Sequence, residues 1–193
     1  MIKKMMVMAL GFFLAGSGWA AQNPKVLIKT EMGDITVEIY ADKAPGTAAN
    51  FLKYVDAKLY DGTVFHRTVT LDSPKNQPIK IEVIQGGSVS SDKGYPSIPL
   101  ERTNTTGLKH EDGSISMARG GPDTATSSFF FCLGPQPELD FSGKRNADGQ
   151  GFAAFGKVVA GMDVVRKIHK SPAGGGEQLT PPIKILSITR ITN

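Results

Sequence analysis

An arginine inside an apolar, strand-like segment is the first residue of this sequence that could do chemistry. Arg67 follows Phe65 and His66 in the run TVFHRTV (63–69), and further along the chain Gln85 precedes two glycines. Arginine stays protonated at physiological pH and offers five N–H donors in a planar fork. The segment therefore carries a permanent cation, whose chemistry is hydrogen bonding and charge stabilisation.

A run of three phenylalanines is the second candidate. In SSFFFCLG (127–134), strand alternation puts Phe129 and Phe131 on one face and Phe130 and Cys132 on the other. One pair should fill the interior of a sheet, which leaves Phe130 facing outward. An outward phenylalanine near an arginine forms a small apolar pocket with a charged rim; the alternative is that Phe130 is simply part of the core.

The residues of covalent and metal-assisted catalysis lack the spacing that they need. His66, His110 and His169 lie far apart in the sequence, and none has a partner at metal-ligand spacing. No serine lies in a nucleophile-elbow pattern, and AGGGE (173–177) is not followed by the Gly-Lys-Ser/Thr of a phosphate loop. We therefore expect no metal, no cofactor and no covalent intermediate.

The composition is that of one globular domain. The 193 residues are 40% hydrophobic and 21% charged. Without Lys3 and Lys4 the formal charge falls from +4 to +2, and no basic run remains to bind nucleic acid. Cys132 is the single cysteine, so no internal disulfide can form. Stability must come from the core, and we expect a monomer.

Residues 1–20 have the layout of a secretory signal. Two lysines precede an uncharged apolar run from Met5 to about Ala15, and small residues follow up to Ala20. A membrane anchor is the alternative, but the run is shorter than the roughly 20 residues that a spanning helix needs. We predict cleavage after Ala20, a mature domain over 21–193 and a periplasmic protein that is not held in the membrane.

Alternating apolar residues predict strands along the rest of the chain. KVLIKT (25–30) and DITVEIY (34–40) form a hairpin in which Gly33 can take a positive φ angle. Helical spacing that begins near Pro45 predicts one amphipathic helix before Gly62. Further strands are expected at 63–70, 80–85, 114–118, 127–133, 153–159 and 183–192, and a second, short helix at 161–170.

Eight strands and two helices that do not alternate regularly along the chain predict a mainly β fold. We expect a closed, mostly antiparallel sheet with the helices as plugs. Three stretches are expected to be loops, at 86–113, 134–152 and 171–182. Because binding residues concentrate on long loops, we expect ligand binding there.

Four motifs in the right order resemble the cyclophilin family of peptidyl-prolyl cis/trans isomerases. They are FHR (65–67), QGG (85–87), GSISMARGGPDTATSSFFFC (113–132) and FGKVVAGMDVVRKI (155–168), and the similarity covers nearly all of 25–192. The resemblance implies a closed eight-stranded antiparallel β-barrel capped by two α-helices. It also implies an enzyme that rotates Xaa-Pro peptide bonds, with proline-containing unfolded or extended polypeptides as partners.

The same resemblance implies roles for individual residues. Arg67 matches the family's catalytic arginine, and Phe130 matches the floor of the proline pocket. Gln85 would orient Arg67 or the substrate carbonyl, whereas His66 is expected mainly to support its strand. The other implied substrate-binding residues are Val83 and Leu139 as apolar walls, the backbone of Ala118, Arg119 and Gly120, and Ser128 and Phe152 at the rim.

The sequence departs from the family pattern around this pocket. Ser128 stands where glutamine is usual, Phe152 where histidine or tyrosine is common, and Glu138 near the usual tryptophan or phenylalanine. The segment 68–79 is longer than the family's connection, and Glu82 stands where phenylalanine is expected. These changes alter the rim and leave the cation and the floor intact.

Two classes of function remain. The first is an exported isomerase that speeds the folding of periplasmic proteins, in which slow proline steps can limit maturation. The second is a proline-peptide binding module or chaperone with little turnover. Retention of Arg67 favours the isomerase. A lipocalin-like barrel for apolar ligands is disfavoured, because Phe129 and Phe131 are expected to fill the interior.

Overall fold

The computed structural model of the chain describes residues 22–73 and 77–192. The predicted signal segment, residues 1–20, lies outside the described residues. The helices are α1 (Pro45–Asp56), α2 (Thr103–Thr106) and α3 (Met162–His169), with a 3₁₀ turn at Pro137–Leu139. The strands are β1 (Lys25–Thr30), β2 (Gly33–Ile39), β3 (Val64–Val69), β4 (Val83–Gly86), β5 (Ser114–Met117), β6 (Phe129–Cys132), β7 (Ala153–Ala160), β8 (Ala173–Gly174) and β9 (Gln178–Ile191).

Eight of these strands close into a barrel. The order of hydrogen-bonded neighbours is β1-β2-β7-β5-β6-β4-β3-β9, and pairing of β9 with β1 completes the ring. Every pair in the ring is antiparallel. The two residues of β8 pair with the start of β9 and lie outside the ring. The predicted mainly β, eight-stranded barrel is confirmed.

The first hairpin forms as the alternation predicts. β1 and β2 pair from Lys25 with Glu38 to Thr30 with Gly33. Gly33 has a φ angle of +130°, and a Cβ atom there would lie 2.8 Å from a methyl group of Val164 in α3. Both the backbone conformation and the approach of α3 therefore require glycine at this position.

The interior of the barrel is filled by aromatic side chains. Phe129 and Phe131 are fully buried there, as predicted. The ring of Phe129 meets that of Phe51 from α1 edge-on at 5.5 Å, and that of Phe65 from β3 edge-on at 6.0 Å. Burial of each such ring stabilises the fold by roughly 1.5–3 kcal/mol.

A second, smaller apolar group lies on the other face of β3, β4 and β6. Phe130 and Cys132 pack there with Val69, Val83 and Leu139, apart from the interior residues. We call this group the outer cluster. It is the surface on which the candidate site is built.

The predicted loop at 171–182 is wrong in part, because β8 and the first residues of β9 lie within it. In β9, Gln178 pairs with Arg67 and Ile183 pairs with Phe65, so 179–182 bulge out of the ladder. Two prolines in this bulge have no N–H to donate to a ladder, and they mask the strand in the sequence pattern.

Short helices also occur inside the other two predicted loops. α2 lies within 86–113, and the 3₁₀ turn lies within 134–152. Elements of three or four residues carry too little periodicity to be recognised in a sequence. Within 22–73 and 77–192, no helix has the length and apolar character that crossing a membrane requires.

Candidate active site

A cavity of about 240 Å³ lies over the outer cluster, beside β3, β4, β5 and β6. We call it the cleft. The structure brings together eight of the predicted site residues around it: Arg67, Val83, Gln85, Ala118, Arg119, Phe130, Leu139 and Phe152. His66, Gly120 and Ser128 are not among the residues that line it. Gln77, Ile81, Arg145 and Asn146 line it as well and were not predicted from the sequence.

Phe130 forms the floor of the cleft. The residue is only 4% exposed, and its ring meets that of Phe152 edge-on, with centroids 5.4 Å apart. Val83 and Leu139 pack against it in the outer cluster. The ring of His110 stacks nearly parallel to it at 6.0 Å. Phe130 is therefore packed like a core residue and also faces the cleft, so the two alternatives for it are compatible.

A β-bulge at His66 turns Arg67 toward the cleft. In a regular strand Phe65 and Arg67 would share a face, because side chains alternate. Here Phe65 pairs with Gly86 and Arg67 pairs with Gln85, so His66 is an extra residue between successive pairs. Phe65 is fully buried in the interior, whereas Arg67 lines the cleft on the other side of the sheet.

The first glycine of the QGG motif makes room for this bulge. A Cβ atom at Gly86 would lie 2.7 Å from the ring of Phe65 and 2.8 Å from the carbonyl oxygen of Val64. No side chain fits there while Phe65 points inward. His66 itself is half-buried, and burial together with the charge of Arg67 lowers its pKa below 6.5. His66 is therefore neutral near pH 7. It is not among the residues that line the cleft.

Arg67 is held on two sides. Its Nη1 donates to Gln85 Oε1 at 2.9 Å, and its Nε and Nη2 approach one oxygen of Glu177, Oε2, at 2.7 and 2.6 Å. These contacts use three of the five N–H groups of the guanidinium. Within the described residues, one N–H on each terminal nitrogen is left for a ligand.

Glu177 is a further residue of the site that the sequence did not predict. It lies in the turn between β8 and β9, 110 residues from Arg67. The only sequence signal for it is a single carboxylate in the glycine-rich run AGGGE, in a segment that the sequence predicts as a loop. Its second oxygen, Oε1, is buried and has no hydrogen-bond partner among the described residues.

Ser128 supports Gln85 from behind rather than facing the cleft. The Gln85 side-chain amide donates to Ser128 Oγ at 3.2 Å, and the Ser128 hydroxyl donates to the Gly86 carbonyl at 3.1 Å. Ser128, Gln85 and Arg67 thus form one hydrogen-bonded row that ends at Glu177. Each member restricts the orientation of the next one.

A buried polar group lies behind the floor. His110 Nδ1 is 2.7 Å from Asp140 Oδ1, and His110 Nε2 is 3.0 Å from Ser116 Oγ. An ionised carboxylate only accepts, so Nδ1 donates to Asp140, while Nε2 and the serine hydroxyl share the second hydrogen bond. This resembles a nucleophilic triad in residue types, but Ser116 is fully buried and His110 is 1% exposed. No substrate can reach the hydroxyl, and the group instead fixes the ring of His110 against Phe130.

The charge of Asp140 is stabilised by this contact. Although burial alone would raise its pKa, the hydrogen bond and charge of His110 hold the pKa of Asp140 below its usual value. The nearby ammonium of Lys109, at 3.5 Å, acts in the same direction. Asp140 is therefore an anion in the native protein at neutral pH.

Arg119 is a fixed part of the cleft wall. Its terminal nitrogens donate to both oxygens of Asp148 at 2.7 and 2.9 Å, and its guanidinium lies 5.0 Å from the ring of Phe152. The hydrogen bonds from Arg119 lower the pKa of Asp148 to about 2. Gly120 donates its N–H to Thr124 and accepts from Arg119. Ala118 donates its N–H to the carbonyl of Ser128 at 2.8 Å.

The departures from the expected pattern lie mostly beside the cleft. Glu138 does not line it; its carboxylate accepts the N–H of Lys144 at 2.8 Å. Glu82 pairs through its backbone N–H with the side chain of Gln136 and also lies elsewhere. The segment 68–79 continues β3, turns at Thr70–Ser73, and returns to the cleft at Gln77, with 74–76 outside the described residues.

The cleft can hold a small apolar ring on Phe130 and present guanidinium N–H groups beside it. Across 22–73 and 77–192 no grouping of histidine, cysteine and carboxylate side chains could hold a metal ion. Cys132 is buried, and burial raises the pKa of its thiol, so it is not an accessible nucleophile. The groups that line the cleft can act by hydrogen bonding, charge and apolar contact.

Comparison with known proteins agrees with this geometry. A family model described as "Cyclophilin type peptidyl-prolyl cis-trans isomerase/CLD" matches residues 25–190. A peptidyl-prolyl cis-trans isomerase of Acinetobacter baylyi is 35% identical over 195 residues, which covers 97% of this chain and 95% of that protein. Peptidyl-prolyl cis-trans isomerase B of Escherichia coli is 36% identical over 152 residues, with 77% and 86% covered.

A solved structure supports the fold independently. The crystal structure of a cyclophilin type peptidyl-prolyl cis-trans isomerase from Cryptosporidium parvum, determined in the presence of the dipeptide Ala-Pro, superposes with a TM-score of 0.71. The match covers 88% of this chain and 99% of that one at 24% sequence identity. At this identity the likeness concerns the architecture of the barrel.

Proposed function

The chain belongs to the family of cyclophilin-type peptidyl-prolyl cis-trans isomerases and is an enzyme of that class, and we propose that Arg67 drives its reaction by stabilising the twisted transition state. In this proposal the substrate is an extended polypeptide whose proline ring rests on Phe130. No bond is made or broken. The observation that carries the proposal is the pair of N–H groups that Gln85 and Glu177 leave free on Arg67, beside the apolar floor.

The barrier of this reaction has an electronic origin. Resonance gives an Xaa-Pro bond partial double-bond character, and rotation about it must cross about 18–20 kcal/mol. When the bond is twisted by a quarter turn, the imide nitrogen regains a lone pair and becomes a hydrogen-bond acceptor. A donor that meets this lone pair acts on the transition state and not on the planar ground states.

Arg67 has the properties that this task needs. Its guanidinium is charged at all physiological pH values, and the contacts with Gln85 and Glu177 restrict its rotation before a substrate arrives. A charge-assisted hydrogen bond contributes roughly 1.5–3 kcal/mol, and each 1.36 kcal/mol is about tenfold in rate. The arginine thus supplies about ten- to hundredfold, and the apolar cleft supplies further acceleration by holding the proline ring while the preceding carbonyl turns.

Isomerisation of a short Xaa-Pro peptide, followed by a protease-coupled assay, tests the mechanism. We expect Arg67→Ala to lower kcat/KM at least tenfold with an unchanged circular dichroism spectrum. Arg67→Lys should restore little, since an ammonium lacks the planar fork. Full turnover in Arg67→Ala would contradict the role of the arginine. Peptide binding without turnover in the wild type would instead favour the alternative, a proline-peptide binding module or chaperone.

The cellular role that we propose is the folding of exported proteins in the periplasm. It is supported by the signal-like sequence of residues 1–20, in which lysines, an apolar run and small residues follow one another. Cell fractionation and mass spectrometry of the purified protein test it. A periplasmic chain that begins at Ala21 is expected, and a cytoplasmic chain that retains residues 1–20 would contradict the proposal.

A further inference from the structure

The charges around the cleft are not balanced. Three arginines line it, and two of them have carboxylate partners: Arg67 pairs with Glu177, and Arg119 pairs with Asp148. Among the described residues the third, Arg145, forms no ion pair, and no carboxylate lines the cleft. Among the described residues, the positive charge of Arg145 therefore has no carboxylate within ion-pair distance.

Arg145 is held in place while most of its donors stay free. It is half-buried, its backbone N–H donates to the carbonyl of Glu138 at 3.1 Å, and its Nη1 donates to the carbonyl of Ile79 at 2.8 Å. The bond to Ile79 uses one of the five N–H groups of the guanidinium. Within the described part of the chain, the others are available for a ligand in the cleft.

The neighbourhood of Arg145 disfavours its own charge. Burial and the positive charge of Arg67 both lower its pKa, and only the carboxylate of Glu177 opposes them. An arginine nevertheless remains protonated at neutral pH. A carboxylate that enters the cleft would meet a guanidinium whose hydration is already reduced. The planar fork of a guanidinium can bind both oxygens of a carboxylate at once.

We propose that Arg145 forms a subsite for an acidic side chain, so that the preferred substrates are peptides with Asp or Glu within a residue or two of the proline. The inference rests on the proposed function, because the proline ring is taken to lie on Phe130. Arg145 and Phe130 line the same small cleft, so the carboxylate must come from a residue near the proline. The proposal makes Arg145 a specificity-determining residue and gives it no part in bond rotation.

Paired peptides that differ only in Glu against Gln test the subsite. One series places this residue before the proline and the other places it after the proline, and NMR exchange spectroscopy measures kcat/KM without a coupling protease. In the wild type we expect the Glu peptide to exceed the Gln peptide at least fivefold in one of the two series. The ratio should fall toward one at about 0.5 M salt, because screening weakens a partly exposed ion pair.

Two variants assign the effect to one side chain. Arg145→Gln removes the charge and keeps a donor for the Ile79 carbonyl, and it should bring the Glu/Gln ratio to within about twofold of one. Lys144→Gln removes an exposed positive charge from the neighbouring position and should leave the ratio as it is in the wild type. Thermal melting curves of both variants check that the loop stays folded.

Three results would overturn the subsite: equal kcat/KM for Glu and Gln peptides in both series, a preference that survives Arg145→Gln, or one that Lys144→Gln abolishes equally. Calorimetry with the same peptides tests the Arg145 subsite separately from the proposed mechanism of Arg67. If no peptide is turned over, the proposed mechanism fails, whereas tighter binding of the Glu peptide that depends on Arg145 still supports the subsite. Equal affinities for the Glu and Gln peptides would contradict the subsite.

Discussion

Nε of Arg67 donates to Oε2 of Glu177 at 2.7 Å and Nη2 lies 2.6 Å from the same oxygen, while the second oxygen of Glu177 is buried without a hydrogen-bond partner among the described residues. This contact occupies one edge of the guanidinium of Arg67, which lines the cleft. In the proposed mechanism this contact would have two opposing effects on catalysis. It restricts the rotation of the arginine, and it also weakens the positive field that the substrate nitrogen meets.

Replacement of Glu177 separates these two effects. We expect positioning to dominate, since a freely rotating guanidinium loses a hydrogen bond that depends on direction. Glu177→Ala should therefore lower kcat about three- to tenfold with a smaller change in KM, and Glu177→Gln, which keeps an acceptor, should retain most of the activity. The measurement is steady-state isomerisation of an Xaa-Pro peptide.

Two controls belong to this experiment. Gln178→Ala changes the exposed side chain next to Glu177 and should leave kcat unchanged. In an Arg67→Ala background, Glu177→Ala should cost nothing further if it acts through the arginine. A higher kcat in Glu177→Ala would show that the weakened field dominates and that our assignment is wrong.

Phe130 and its neighbour Phe131 allow a matched comparison of floor and core. Both rings are buried, but Phe130 faces the cleft and Phe131 faces the interior. Phe130→Leu and Phe131→Leu should each lower the free energy of unfolding by about 1–2 kcal/mol. Only Phe130→Leu should also lower kcat/KM, by an expected fivefold or more. Urea unfolding and the isomerisation assay measure the two effects, and equal activities would exclude Phe130 as the floor of the proline site.

Turnover should be nearly independent of pH from about 6.5 to 8.5, because the proposed mechanism has no titrating acid or base. His66 lies next to Arg67, and burial together with the arginine's charge lowers its pKa below 6.5. It therefore gains its proton only below that range. A bell-shaped profile, or an inflection near pH 7 that His66→Gln removes, would make His66 a participant in the reaction.

Asp140 should contribute stability that is lost in acid. Burial raises its pKa, but the hydrogen bond and charge of His110 outweigh burial, and the pKa is lowered in the folded protein. The contribution is therefore fully present above the unfolded-state value of about 3.9 and is lost as pH falls through the folded-state pKa. Asp140→Asn should lower the free energy of unfolding at pH 7 by about 1–3 kcal/mol, and the difference from the wild type should shrink below pH 4.

Urea unfolding at several pH values measures this difference. Asp42→Asn is a suitable control, since the Asp42 side chain is 60% exposed and its ion pair with Lys43 spans 3.8 Å. It should change the stability little at any pH. A loss in Asp140→Asn that stays constant down to pH 2 would contradict the assigned direction of the pKa shift.

Local patterns in the sequence were enough to identify the fold and most of the predicted residues that line the cleft. Alternation predicted the ring strands to within a few residues at most ends, and it put Phe129 and Phe131 inside and Phe130 outside, as the structure has them. These assignments depend on neighbours within a strand, which side-chain alternation makes visible. The motifs around Arg67 and Phe130 then indicated the family, which the comparisons confirm.

The direction of Arg67 and its partner were decided by the tertiary structure. A regular strand would have put Arg67 on the same face as Phe65, and only the pairing of β3 with β4 makes His66 a bulge that reverses this. Glu177 reaches Arg67 because the turn between β8 and β9 folds over β3, across 110 residues of chain. The sequence by itself thus determined which face each strand buries and which residue types the site contains. Register shifts and contacts between distant segments arise from the packing of whole strands, and no local periodicity records them.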